Sequence, residues 1–483
     1  MNAHRCHAFT LCILLLSPLR LDAAVTIETA AMVLTFDGQG SMVQADICYP
    51  SCADESATRL ELKQSEGIIS FDQSSGTVWV QRQGVSRAQA SREQQLHFTS
   101  ADGQSITWII PAQGYRIEAD VVNTAALVVR GGAGFRPRPA AGFGNWLEQV
   151  RYVAVGSHGI QQVGLDEEPP GKVFTDWAGF RNRFWAVLVS GSGEREYELL
   201  TGADNADAVL RRNMDAREEQ HVFFLGPVEP GELTAVDEIL GKLLYAGLWF
   251  WLRWICFGLF HLLGWIQSLV PVWGVAIMLL SLAVHILMTP LSRAADHVQR
   301  EVNATEARLE PELSRIRKTY RGEEQAARML ALYKSEGVSP LYSLKSMLGV
   351  AIVIPVFIGA FDMLAENIHL LNTDFLWIRD LSRPDALMPL PFSLPFFGAD
   401  LNLLPFLMSG LSVVASLLHQ PLAMSEEMRR RQMRNMLLLA LAFFALFYTF
   451  PAGMVLYWST NNLISAGKSL WFRRRYFDHD MSK

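Results

Sequence analysis

The chain has 483 residues, half of them hydrophobic and only 19% charged, with a mean hydropathy of +0.16. Soluble domains average about 25% charged residues, so the composition argues against a wholly soluble protein. The 42 basic and 48 acidic residues leave a net charge of -6, and no basic stripe with interleaved aromatics is present, which speaks against nucleic-acid binding.

Residues 1–24 read as a signal peptide. Arg5 supplies the positive end, residues 9–16 form a short apolar core closed by Pro18, and small residues stand at Ala23 and Ala24. The core is short for a membrane span, so cleavage after Ala23 is expected, with a retained helix as the other reading. Residues 25–240 contain no run of the roughly 20 apolar residues that a span requires. Short β-branched or alternating runs recur there, at 32–36, 67–71, 77–80, 106–110, 127–129 and 186–189, punctuated by Gly, Asp, Asn and Ser. That pattern predicts a β-sandwich domain. Within it, Cys48 and Cys52 have no second Cys or His pair at zinc spacing. A small disulfide loop suits a secreted segment, and two free thiols are the alternative. The glycines of residues 131–134 break the dinucleotide-binding pattern at Pro137 and read as a turn. No catalytic motif emerges, so no enzyme and no cofactor is expected.

The second half is a succession of apolar runs and charged connectors. Residues 244–269 are rich in Trp but carry Arg253, His261 and Gln267, which suits an amphipathic helix lying in the membrane interface. Five spans follow, at 270–291, 343–364 (interrupted by Pro355), 403–422, 435–450 and 452–471. Ten basic residues lie between 292 and 345, and more at 429–434 and 473–475, against only Arg379 and Arg383 between 365 and 402. The positive-inside rule puts the first group in the cytoplasm and the β domain outside, in agreement with the signal. Residues 292–342 are mixed in charge, rich in helix formers and divided by Gly322, and predict a cytoplasmic helical hairpin. The whole reads as a multi-domain chain, a periplasmic β-sandwich followed by an α-helical membrane bundle of five transmembrane helices, with the membrane core at 270–475.

Polar residues inside the spans recur at helical spacing. Ser281, His285 and Thr289 form one stripe; Ser409, Ser412, Ser416 and then His419 or Gln420 form a second; Tyr457, Asn461, Ser465 and Lys468 form a third. Each set occupies one helical face. Small polar residues at this spacing also serve close helix packing, but Asn, His and Lys are costly in lipid and favour a shared hydrated cavity.

Several phrases then resemble the YidC/Oxa family of membrane protein insertases, of the kind found in Gram-negative bacteria. They are Trp273-Gly274, MTPL at 288–291, LEPELSRI at 309–316, ALYKSEGVSPL at 331–341, IPVF at 354–357, LWIRDL at 376–381 and FPAGMVLY at 450–457 with Asn462-Leu463. The likeness covers about residue 246 to the end. It implies an inner-membrane insertase and chaperone whose five helices enclose a hydrophilic groove open to the cytoplasm and lipid. Its partners would be nascent integral membrane proteins, the lipid bilayer, the ribosome and the Sec translocon. Where the family carries an Arg on the first span this chain has His285, a hydrogen-bonding residue in place of a fixed cation, and the linker at 342–346 introduces Lys345, the candidate cation to compensate. An assembly chaperone without insertion activity and a small-solute transporter are the competing readings.

Overall fold

Alternation of apolar and polar residues turns the first half of the chain into β-structure. Strand Thr58–Lys63, for example, alternates buried and exposed positions along its whole length, the period-two signature of a half-buried strand. The computed structural model describes residues 24–72, 79–81, 93–100, 102–131, 133–137, 139–157, 159–165, 167, 171–201, 208–214, 217–339, 348–418 and 426–480. Residues 1–23 of the expected signal peptide, together with Lys345, His419 and Gln420, lie outside the described residues. Among those described, sixteen strands between Val25 and Pro227 join in one antiparallel sheet.

The sheet folds over on itself. Trp108 packs against Phe36, Phe71 and Phe223 at ring distances of 5.2, 5.8 and 5.6 Å, although the strands of Phe36 and Phe71 are far from its own in the pairing order. Its indole N–H donates to the Gly40 carbonyl at 2.9 Å, so the largest core side chain is buried with its polar atom satisfied. Cys48 and Cys52 are joined by a disulfide.

One buried polar cluster in this domain titrates. The carboxylate of Glu219 holds Arg212 at 2.6 Å, and the Arg212 guanidinium lies 3.4 Å from the imidazole of His221. Burial, followed by the charges of Arg212 and Arg195, draws the His221 pKa down to about 3. Glu219 is also 3.7 Å from the ring, but its charge is already matched by Arg212. Because the folded pKa lies below the ordinary value near 6.5, the unfolded chain takes up the extra proton. This contribution to stability is full above pH 6.5 and is lost as pH falls toward 3. Hydrogen-exchange protection of the strand Glu218–Pro227, after correction for the pH dependence of the intrinsic exchange rate, is expected to fall on acidification below pH 6, by about 1.4 kcal/mol per pH unit. A His221→Gln variant should show a shallower dependence.

The second half is helical. The helices are α1 Pro230–Val236, α2 Phe250–Leu269, α3 Trp273–Thr319, α4 Gly322–Ser335, α5 Leu348–Ala365, α6 Leu404–Leu418, α7 Glu426–Phe447 and α8 Ala452–Asp480. Among the described residues one helical stretch, Trp273–Ala295, is long and apolar enough to cross a membrane. Val353–Ala365, Leu404–Leu418 and Met433–Phe447 are shorter apolar helical stretches.

Three details differ from the sequence expectation. The helix expected from 244 begins at Phe250, because Tyr245 takes a positive φ of 54° that no helix continues through. α3 does not stop near residue 291. It runs on for 47 residues through Pro290 and Pro311, each of which removes one backbone hydrogen bond while the flanking turns hold the axis. It ends only at Tyr320, and Gly322 opens α4 at φ +62°. Third, a two-stranded hairpin, Met388–Leu394 with Gly398–Leu401, stands between α5 and α6, where its prolines hide any strand signal.

The two halves are locked together by buried polar contacts. Arg183, in the turn between the long strands Gly171–Arg181 and Trp185–Thr201, donates from Nε to the Ala365 carbonyl at 2.5 Å and from Nη1 to the Ser382 carbonyl and the Glu148 carboxylate, both at 2.8 Å. Arg181 pairs with Glu366 at 3.2 Å and donates to the Leu243 carbonyl at 2.8 Å. Thr58 donates to the Leu371 carbonyl at 3.2 Å.

Candidate functional site

α3, α5 and α8 pack side by side and leave a cavity of about 190 Å³ between them. Its polar wall comes from two helices. On α3, His285 and Thr289 are one turn apart, and the Thr289 hydroxyl donates to the His285 carbonyl at 2.8 Å, which saves the hydroxyl from standing unpaired in an apolar setting. On α8, Tyr457, Asn461, Ser465 and Lys468 follow one another down a single face into the same space. The imidazole Nδ1–H of His285 donates to the Asn461 amide oxygen at 3.4 Å, and so ties the two stripes together. The remaining wall is apolar, built chiefly from Val353, Val356 and Phe357 of α5. A cavity with one wall of hydrogen-bonding groups and one of hydrocarbon can solvate a polar chain segment beside an apolar one.

One end of the cavity is sealed. Phe357, Phe443 and Phe447 surround the Trp458 ring at 4.8, 5.8 and 6.0 Å, and Phe361 and Phe447 meet Phe450 at 5.2 and 5.5 Å. Ala276, Ile277 and Leu280 of α3 are fully buried at the same end. The start of α8 is fixed there, since Ala452 and Gly453 donate their backbone N–H groups to the carbonyls of Arg383 and Leu381 at 2.7 and 2.8 Å. These are donors that a helix N-terminus otherwise leaves unpaired.

Of the residues singled out from the sequence, His285, Thr289, Tyr457, Asn461, Ser465 and Lys468 line the cavity. Ser281 lies one turn above His285, is 1% exposed, and its hydroxyl has no hydrogen-bond partner among the described residues. The α6 serines are placed elsewhere. Ser412 accepts from Asn462 of α8 at 2.6 Å and donates to the Met408 carbonyl at 2.9 Å, so it closes a helix–helix contact. Ser409 has a buried hydroxyl with no partner among the described residues, and Ser416 is half-buried outside the cavity lining. Asn462 was missed because it stands on the neighbouring face from Asn461. Its pairing with Ser412 joins residues 50 apart in the chain.

This geometry defines a helical region with an internal, one-sided polar cavity. Residues 265–479 match the family described as 60Kd inner membrane protein. The chain is 31% identical over 317 residues to the membrane protein insertase YidC of Syntrophobacter fumaroxidans, covering 62% of this chain and 53% of that protein. It is 33% identical over 258 residues to the membrane protein insertase YidC of Francisella tularensis subsp. novicida, covering 53% of this chain and 42% of that protein. The chain thus spans about half the length of these curated relatives. A solved structure of an active YidC insertase aligns over 92% of each chain with a TM-score of 0.36 and 18% identity, too loose a superposition to carry an argument. The family match and the relatives make the helical region of this chain similar to the 60Kd inner membrane protein family and to YidC insertases, and a β-rich domain stands ahead of that region.

Proposed function

We propose that the chain is an insertase and chaperone of the inner membrane that receives nascent integral membrane proteins in the α3–α5–α8 cavity. The observation that carries this reading is the pairing of His285 with Asn461 across a cavity whose other wall is hydrocarbon. A polar tail crossing about 30 Å of hydrocarbon alone loses all its hydrogen bonds. A cavity reaching partway into the bilayer shortens that dry distance, while the apolar part of the client leaves sideways into lipid. The aromatic seal of Phe361, Phe447, Phe450 and Trp458 would keep the outer side shut to ions.

In this scheme five spans cross the bilayer, as read from the sequence, and α2 lies in the interface. The β domain is periplasmic behind a signal peptide, and the distal part of α3 with α4 forms the cytoplasmic hairpin that meets the ribosome and, with the membrane core, the Sec translocon. Cysteines engineered near Gly322 should be labelled from the cytoplasmic side only. Labelling from the periplasm would overturn the topology. Depletion of the protein should leave a client with a short polar tail uninserted. Undiminished insertion would favour an assembly chaperone without insertion activity.

The hairpin carries its own prediction. Its ion pairs, Arg317–Glu310, Arg328–Glu324 and Arg308–Glu336, are all exposed, at 3.5, 3.1 and 3.8 Å. Exposed pairs contribute little to stability. Deleting residues 301–329 should therefore leave the protein folded in the membrane while client insertion falls at least about tenfold. Full insertion by a stably expressed deletion would show that the hairpin is dispensable.

A further inference from the structure

A second cavity, about 400 Å³ in volume, lies where the β domain meets the outer end of α5, and shares no lining residue with the polar cavity. Its floor is charged. Arg181 and Glu366 form an ion pair there at 3.2 Å, and Arg183 is held by Glu148 at 2.8 Å. Two lining charges are left over. Arg151 and the Asp362 carboxyl make no ion pair or hydrogen bond among the described residues. Arg151 is half-buried in strand Arg151–Gly156. Burial draws its pKa down, and Arg181 adds to that, while Glu366, Glu167 and Asp362 oppose the shift, so both cavity carboxyls act on it. The rest of the lining mixes Gln149, Asn182 and Tyr245 with apolar residues, among them Leu248, and Ile358 and Phe361 lead down α5 into its apolar stretch.

The surroundings say what kind of molecule meets such a cavity. Trp146 at its rim is 53% exposed, and Trp249, next in the chain to the lining residue Leu248, is 71% exposed, with Trp254 of α2 at 75%. Indole rings left bare in this way gather at the level of lipid headgroups. One unpaired cation and one unpaired carboxyl, side by side above an apolar slope, match a ligand with an anion, a cation and hydrocarbon chains.

We propose that this cavity binds the headgroup of a zwitterionic aminophospholipid, with its phosphate on Arg151, its primary ammonium on Asp362 and Glu366, and its acyl chains along Ile358 and Phe361. Arginine presents two parallel N–H groups to a phosphate, and a primary ammonium has three donors for carboxyl oxygens. The bound lipid fills the joint between the β domain and the membrane helices. The proposal rests on the membrane reading of α5 given above.

The test uses the full chain, purified in mild detergent and delipidated, with native mass spectrometry reading retained lipid. Phosphatidylethanolamine should be held about fivefold more tightly than phosphatidylcholine, whose ammonium has no N–H donors, or phosphatidylglycerol, which has no ammonium. Arg151→Gln should lower retention of all three, Arg151→Lys should restore part of it, and Asp362→Asn should remove the preference for phosphatidylethanolamine. Equal retention of the three lipids, or a preference that survives both Arg151→Gln and Asp362→Asn, overturns the proposal. Displacement of the lipid by millimolar inorganic phosphate overturns it too, and marks a phosphate site instead. Alkaline extraction of membranes tests the underlying reading separately. Release of the protein defeats the membrane assignment, whereas a retained protein without lipid preference defeats only the site.

Discussion

Replacing Arg183 with alanine is expected to destabilise the protein by about 3–5 kcal/mol, the range for removing one partner of a buried ion pair. The side chain is 3% exposed and its partner Glu148 is 14% exposed, so the abandoned carboxylate cannot easily recover water. The carbonyls of Ala365 and Ser382 lose their donor at the same time. Burial also holds the Arg183 pKa below its ordinary value, a sign of the desolvation that its partners offset. Arg183→Lys should recover only part of the loss, because an ammonium cannot reproduce a planar fork spread over three acceptors. Denaturant unfolding in mild detergent measures the difference. Limited proteolysis should in parallel show faster cutting between residues 366 and 402, the segment Arg183 pins. Wild-type stability of Arg183→Ala would mean that these contacts do not hold the two halves together.

Converting the polar wall of the α3–α5–α8 cavity to hydrocarbon should have the largest effect on activity. In the double variant His285→Leu, Asn461→Leu, a client tail loses two hydrogen-bonding groups at a depth where water cannot fully replace them. At about 1–3 kcal/mol for each unsatisfied group, insertion of a polar-tailed client should slow by about tenfold or more. Stability should not fall, since the leucines remove a weak 3.4 Å contact and add apolar packing. A client whose tail carries no charged or amide side chain should be much less affected. Equal slowing of both clients would mean that the cavity acts through its shape alone.

The parts of this architecture that depend on local pattern were legible in the sequence. Ser281, His285 and Thr289 repeat every four residues, so their shared face on α3 follows from helical geometry alone, as it does for Tyr457, Asn461, Ser465 and Lys468 on α8. Which neighbour a face meets is a different question. The α6 serines have the same periodicity, yet Ser412 pairs with Asn462 instead of joining the cavity, because periodicity fixes a direction and says nothing about the helix found there. The continuation of α3 beyond Leu291 was hidden by Pro290, a residue that ends many helices but only bends or weakens one held on both sides. The Arg183 contacts were invisible for another reason. They join a β turn to carbonyls 182 and 199 residues away, and backbone carbonyls carry no sequence signature. The Trp-rich segment announced an interfacial helix, but the cavity behind it needed the β domain to supply Arg151.

The proposed function requires that this chain, by itself, moves a polar segment across a bilayer. The most direct measurement is insertion of a single-span client with a short acidic tail into liposomes containing the purified protein and no other component, scored by protease protection of the tail. A protected tail is expected in these proteoliposomes and an accessible one in protein-free liposomes, with protection sharply reduced for His285→Leu, Asn461→Leu. A tail that remains accessible in liposomes bearing the folded, correctly oriented protein would contradict the proposed function.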